Sequence, residues 1–224
     1  MNFKQFIKNI LYKFPSKYVF MFHHVCLNPQ KKSSRCLLDT KIFKDTCIKY
    51  KDKINSIDNF KNNKIVITFD DGLEDLYTIA YPFLKENNIP FLAFIVTGLL
   101  DTPGYITTSQ LKEISKDPLV TIGSHGVTHE VLVKMSASQK EKEINESKKT
   151  LESIINKPVE YFAYSHGQYD KETLKFMKPY SLAFIAGGYS YNAFTCNNKY
   201  LIPRLNMDES IYKKQLDFVD KYLI

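Results

Sequence analysis

Ile65-Val66-Ile67-Thr68-Phe69-Asp70-Asp71-Gly72 is the stretch whose reading decides the fold. The apolar run Ile65-Val66-Ile67 fits a buried core strand, and a glycine at its end permits a tight turn that lifts the preceding side chains into a pocket mouth. Neighbouring carboxylates on a strand end cannot both point the same way. One can bind a metal while the other stays free to take a proton, a division that metal-assisted hydrolysis requires. Taken alone, the same residues also make an ordinary solvated turn, since Asp and Gly are common there.

A second strand pattern, Leu119-Val120-Thr121-Ile122-Gly123, runs into Ser124-His125-Gly126-Val127-Thr128-His129. Two histidines four apart can converge on one ion, and imidazole nitrogen with one carboxylate oxygen suits zinc, leaving a position open for water. A lone pair of histidines is more often structural. Beside an Asp-Asp strand end, a metal site becomes the better reading.

Both stretches resemble the polysaccharide deacetylase family, the NodB-homology carbohydrate esterases, over about Tyr18 to Arg204. The first motif matches in full. The second matches at Ser124, His125, Thr128 and His129 but has Gly126 where the family usually carries Thr or Ser. A third block, Tyr161-Phe162-Ala163-Tyr164-Ser165-His166-Gly167-Gln168-Tyr169-Asp170, looks like a Phe-Ala-Tyr-Pro-Tyr-Gly form of the family's groove wall, with Ser165 replacing the proline and His166 the second tyrosine. The strand Tyr18-Val19-Phe20-Met21-Phe22, ending in His23-His24, resembles the first barrel strand of a subgroup with Met-Tyr-His there.

By that resemblance Asp71, His125 and His129 hold a divalent ion, zinc before others, and Asp70 is the general base. The ion would polarise an N-acetyl carbonyl and acidify a water. The backbone amide of His166 would meet the oxyanion. Many relatives draw the acid for the departing amine from a late Leu-x-His motif, but no histidine follows His166 here. His23 is the first candidate for that acid and His166 the second, because a neutral-range pKa suits the task. His24 reads as a satisfied rim residue. The arginine of the Arg-x-Pro-Tyr motif is also missing, with Ala163 in its place. Arg204 is left with two readings: it orients Asp70 through a charge-assisted pair, or it makes an ordinary surface salt bridge.

Around these motifs strands and helices alternate. Helices are expected at Ile42 to Tyr50, Leu73 to Asn87 and from Thr107 to near Lys116, then from Ser136 to about Asn156, over Lys171 to Met177, and over Glu209 to Tyr222 capped by Asp208. Strands are expected at Phe91 to Val96, Val159 to Ala163 and Leu182 to Ala186, while Leu27 to Ser34 and Tyr189 to Asn198 read as loops. Such alternation implies a parallel sheet, closed or open. The resemblance narrows this to an α/β fold, a distorted (β/α) barrel of about seven parallel strands. No linker or repeat interrupts residues 1–224, so one domain is expected, with 1–17 a basic amphipathic helix carrying Phe3, Phe6, Ile7, Ile10, Leu11 and Phe14 at helical spacing.

The net charge of +7 is almost entirely lysine, since Arg35 and Arg204 are the only arginines. Scattered lysines fit a solvated surface better than a nucleic-acid groove, and the Tyr and Phe residues follow core periodicity, so no nucleic-acid partner is expected. Cys26, Cys36, Cys47 and Cys196 are dispersed, which favours free thiols in a reducing compartment over a disulfide framework. Lysines at 8 and 13 break any apolar signal core, and no run approaches the ~20 residues of a membrane span. The expected location is cytoplasmic, with peripheral contact at the inner membrane through the N-terminal helix as the alternative to its packing on the domain. The function expected is removal of an N-acetyl group from an amino sugar of a surface glycan or its precursor, free or lipid-linked. Deformylation of a lipid-linked sugar, and a sugar-binding relative without catalysis, are the alternatives.

Overall fold

The computed structural model describes residues 17–27, 37–59, 64–187 and 198–223. The helix expected over 1–17 and the loop expected over 189–198 lie almost wholly outside these residues, as do Cys36 and Cys196. Cys26 and Cys47 are both buried, and Cys47 is a free thiol. No helix among the described residues is long and apolar enough to cross a membrane.

The described strands are β1 (Tyr18–Phe22), β2 (His24–Cys26), β3 (Leu37–Asp39), β4 (Ile65–Phe69), β5 (Phe91–Ile95), β6 (Val120–Ser124), β7 (Tyr161–Ala163), β8 (Leu182–Phe184) and β9 (Leu205–Asn206). Seven of them form one sheet in the order β8-β7-β6-β5-β4-β1-β9, and every pairing in it is parallel. The parallel sheet expected from the alternation is therefore present, with the seven strands of the distorted barrel that the resemblance implied. The small β2-β3 pair stands apart and was not legible as strands, each being only three residues long.

The strands are buried on both faces, which is why they read as continuous apolar runs. On β4, Ile65, Ile67 and Phe69 join the larger core shared with the helices, whereas Val66 packs with Val19, Leu92, Phe94, Phe184 and Ile202 inside the barrel. By the two-residue period of a strand, Thr68 and Asp70 fall on the same inner side as Val66. The seam between β8 and β1 is closed by residues 202–206. Ile202 bridges to Phe184, Arg204 bridges to Gly187, and Leu205 and Asn206 pair with Phe20 and Met21.

The helices are α1 (Thr40–Lys49), α2 (Tyr81–Glu86), α3 (Thr108–Ile114), α4 (Ala137–Ile155) and α5 (Tyr212–Tyr222). Thr107 with Gln110, and Ser136 with Gln139, form the reciprocal caps that the sequence suggests for α3 and α4. Three expectations shift. The helix expected over 73–87 contains a π turn at Leu76–Ala80, where the amide of Tyr81 donates five residues back to Leu76. Pro82 follows, and its missing N–H breaks the regular ladder at that point. The helix expected over 171–177 tightens into a 3-10 turn, Thr173–Met177, and the Asp170 carboxylate before it accepts from Thr173 N at 2.7 Å. Asp208 accepts from Ser210 N at 2.9 Å and so closes a turn, which delays the start of α5 to Tyr212.

Candidate active site

The C-terminal ends of the parallel strands surround a cavity of about 480 Å³, the end of such a sheet where ligands and chemistry gather. All five histidines of the chain line it, with Asp70, Asp71 and Arg204. His23 leaves β1, Asp70 and Asp71 leave β4, His125 leaves β6, and His166 follows β7. Every candidate residue named from the sequence thus reaches one cavity.

Asp70 is 3% exposed and Arg204 1%. Arg204 grips Asp70 with both terminal nitrogens, Nη1 to Oδ1 at 2.6 Å and Nη2 to Oδ2 at 2.7 Å. Its Nε donates to Ile185 O at 3.3 Å, Nη1 also reaches Thr68 Oγ1 at 3.3 Å, and the guanidinium lies 5.2 Å from the centre of the Phe94 ring. The surface-salt-bridge reading of Arg204 is thereby excluded. Burial alone would raise the pKa of Asp70. The Arg204 charge, then His125 and the Arg204 hydrogen bonds, outweigh it and hold the carboxyl well below the usual range.

Asp71 takes a left-handed backbone, φ 73°, which turns its side chain away from its neighbour's course. Its Oδ1 is buried and accepts no hydrogen bond among the described residues. It lies 3.4 Å from His125 Nε2 and 3.2 Å from His129 Nε2. His125 Nδ1 lies 2.8 Å from the carbonyl of Ala163, which can only accept, so Nδ1 carries the proton and Nε2 presents a lone pair to the cavity. One ligand atom each from Asp71, His125 and His129 all fall within 4.8 Å of one another. An orphaned carboxylate oxygen facing two imidazole nitrogens is a donor set that fits a divalent cation of the zinc type.

His23 Nε2 stands 3.9 Å from Asp70 Oδ2, and its Nδ1 is buried without a hydrogen-bond partner among the described residues. Burial lowers its pKa, and the charges of Asp70 and Asp71 only partly counter that. The ring of His166 lies 4.7 Å from that of His129, on a backbone with φ 56°. His24 Nδ1 is 2.7 Å from Asp75 Oδ2, so its ring is partnered while still lining the cavity.

Tyr164, within the block likened to a groove wall, does line the cavity. It is fully buried, and its hydroxyl has no hydrogen-bond partner among the described residues. Reading the sequence missed Tyr105, which has no neighbouring motif to flag it. Asp75 could have been found, because an acid at the start of a helix following a catalytic-looking turn invites a search for its partner.

The chain belongs to the polysaccharide deacetylase family, whose pattern matches residues 58–185. A poly-beta-1,6-N-acetyl-D-glucosamine N-deacetylase of Staphylococcus aureus (strain MSSA476) is 30% identical over 172 residues, covering 69% of this chain and 58% of that protein. YxkH of Bacillus subtilis (strain 168) is 32% identical over 111 residues, 50% of this chain and 39% of the relative. The chain thus spans between 39% and 58% of the length of these two curated relatives. Among solved structures, the Streptococcus pyogenes deacetylase PplD in complex with acetate superposes with a TM-score of 0.81 at 21% identity, over 93% of this chain and 98% of that one. IcaB from Ammonifex degensii superposes with a TM-score of 0.77 at 18% identity, over 91% and 96%. These likenesses establish the curled barrel of the family as the fold.

Proposed function

We propose that this chain is a metal-dependent N-deacetylase that hydrolyses the acetamide of an amino sugar in a surface glycan or its precursor. One observation carries the reading: three lone-pair donors, from Asp71, His125 and His129, converge beside a carboxylate that is locked in its ionised form by Arg204. A divalent ion, zinc first among candidates, would supply Lewis acidity there, polarising the amide carbonyl and acidifying a water.

The chain's own residues do the rest. Asp70, held ionised, accepts the proton of the water whose oxygen adds to the amide carbon. The backbone amide of His166 faces the developing oxyanion. The C–N bond then breaks, the amine nitrogen takes a proton from His23, and acetate leaves. Burial makes the imidazolium of His23 a stronger acid but lowers its population at neutral pH. Arg204 fixes the plane of Asp70, and the strand ends hold the remaining groups at fixed separations.

The substrate class is supported by the named Staphylococcus aureus relative, which acts on poly-beta-1,6-N-acetyl-D-glucosamine. The test is acetate release from β-1,6-linked N-acetylglucosamine oligosaccharides, with N-formyl analogues alongside. Release that stops with a chelator and returns with zinc is the expected result. Formate release alone would move the reading to a deformylase, and sugar binding with neither product would sink the enzymatic account.

A further inference from the structure

We propose that Glu143 is the positioning residue of the cation site: its carboxylate holds the loop between His125 and His129 and so sets where the imidazole of His129 stands. This rests on the reading of Asp71, His125 and His129 as ligands.

Glu143 lies on α4 and is 7% exposed. Its Oε2 accepts from the amides of both Val127, at 2.8 Å, and Thr128, at 3.0 Å. The loop approaches this closely because residue 126 has no side chain: a Cβ at Gly126 would stand 3.0 Å from Glu143 Oε2, on a backbone with φ 85°. The departure from Thr or Ser at this position and the buried carboxylate are therefore two halves of one arrangement. On the opposite edge, Thr97 N donates to Gly126 O at 3.1 Å and Gly98 N to Val127 O at 2.8 Å. Ser124 Oγ accepts from Gly126 N at 3.3 Å and Ser165 Oγ donates to His125 O at 3.2 Å at the start of the loop, while the amides of Val127 and Thr128 end on Glu143.

The two histidines depend on that loop unequally. His125 is fixed without it, through its amide to Ile95 O at 2.9 Å and its Nδ1 to Ala163 O at 2.8 Å. No such backbone bond holds the ring of His129 among the described residues, and its side chain is 27% exposed. His129 also sits at φ 64°, a conformation that non-glycine residues keep only where their surroundings impose it. What imposes it is the loop immediately before it, whose amides at 127 and 128 end on Glu143.

The test uses the full chain and zinc alone. Glu143→Asp keeps the charge and withdraws the carboxylate by one methylene, so zinc affinity should fall about tenfold or more, as when a partner that orients a metal ligand is lost. Glu143→Gln keeps an acceptor of the same reach and should stay near the unaltered protein. In a double-mutant cycle the losses from Glu143→Asp and His129→Ala should fail to add, because both act on one ligand. Amide exchange at Val127 and Thr128 in the metal-free protein should quicken in Glu143→Asp, a readout independent of activity. Unchanged zinc affinity in Glu143→Asp, or losses that add fully, would overturn the proposal while leaving the cation site standing. Absence of zinc binding by the unaltered protein would overturn the cation reading and this one together.

Discussion

The two sides of the cavity differ in how their polar atoms are satisfied. Around Asp70 both carboxylate oxygens are bonded, the Arg204 nitrogens are all engaged, and Phe94 covers the guanidinium. Around Asp71 a buried oxygen has no donor among the described residues, and two imidazoles turn ring nitrogens toward it. One side is complete as the chain folds; the other is left with donor atoms that could hold a metal ion. Adjacent residues on one strand end reach these opposite conditions because Asp70 continues the inner face of β4 while Asp71 turns left-handed out of it.

The contrast can be broken from either side. Arg204→Ala should have the largest effect on stability, about 3–5 kcal/mol, because it leaves the buried Asp70 charge unpaired; denaturant unfolding measures it. Asp70→Asn should lower acetate release by roughly 10²–10⁴, the range for losing a general base, while zinc content stays at the level of the unaltered protein. If zinc is lost as well, the two carboxylates do not have separate roles. Asp71→Asn should abolish zinc retention after dialysis yet cost the metal-free fold little, since no hydrogen bond ends on its Oδ1. A strong destabilisation of that variant would mean the oxygen has a structural partner after all.

The smallest effect is on the pH dependence of the metal-free protein. Burial, partly countered by the charges of Asp70 and Asp71, keeps the folded pKa of His23 below its ordinary value. The stability this contributes is therefore present above about pH 6.5 and lost as pH falls through the folded pKa. Asp70 follows the same sign lower down: its stabilisation is full above about pH 4 and lost only in stronger acid. Thermal melting against pH should show two successive declines, and His23→Gln should diminish the upper one. A single decline near pH 4 in both proteins would remove His23 from the account.

How much of this was legible follows from how local each signal is. The Asp-Asp and His-x-x-x-His pairs stand directly after apolar runs, so residue type and neighbourhood suffice to place them at strand ends. Arg204 was left between two readings because its position depends on β9, two residues long, and on bridges to Phe184 and Gly187 about twenty positions earlier. Glu143 was missed for a different reason. The helix around it is rich in Lys and Glu, yet Lys140, Glu143, Ile144, Ser147 and Leu151 are its buried positions. An acid and a lysine within an inward stripe were the available clue, one ending on the His125–His129 loop and the other on Asp170 and Glu172. The π turn at 76–80 could have been suspected from Pro82 alone.

Residues 202–206 both close the seam of the barrel and deliver Arg204 to Asp70. A ribosome making this protein therefore finishes Asp71, His125 and His129 long before Asp70 acquires its counter-charge. Until the last strand docks, the nascent chain carries a carboxylate with no guanidinium and a barrel with an open side. Closure of the barrel seam and pairing of Asp70 with Arg204 are therefore one event.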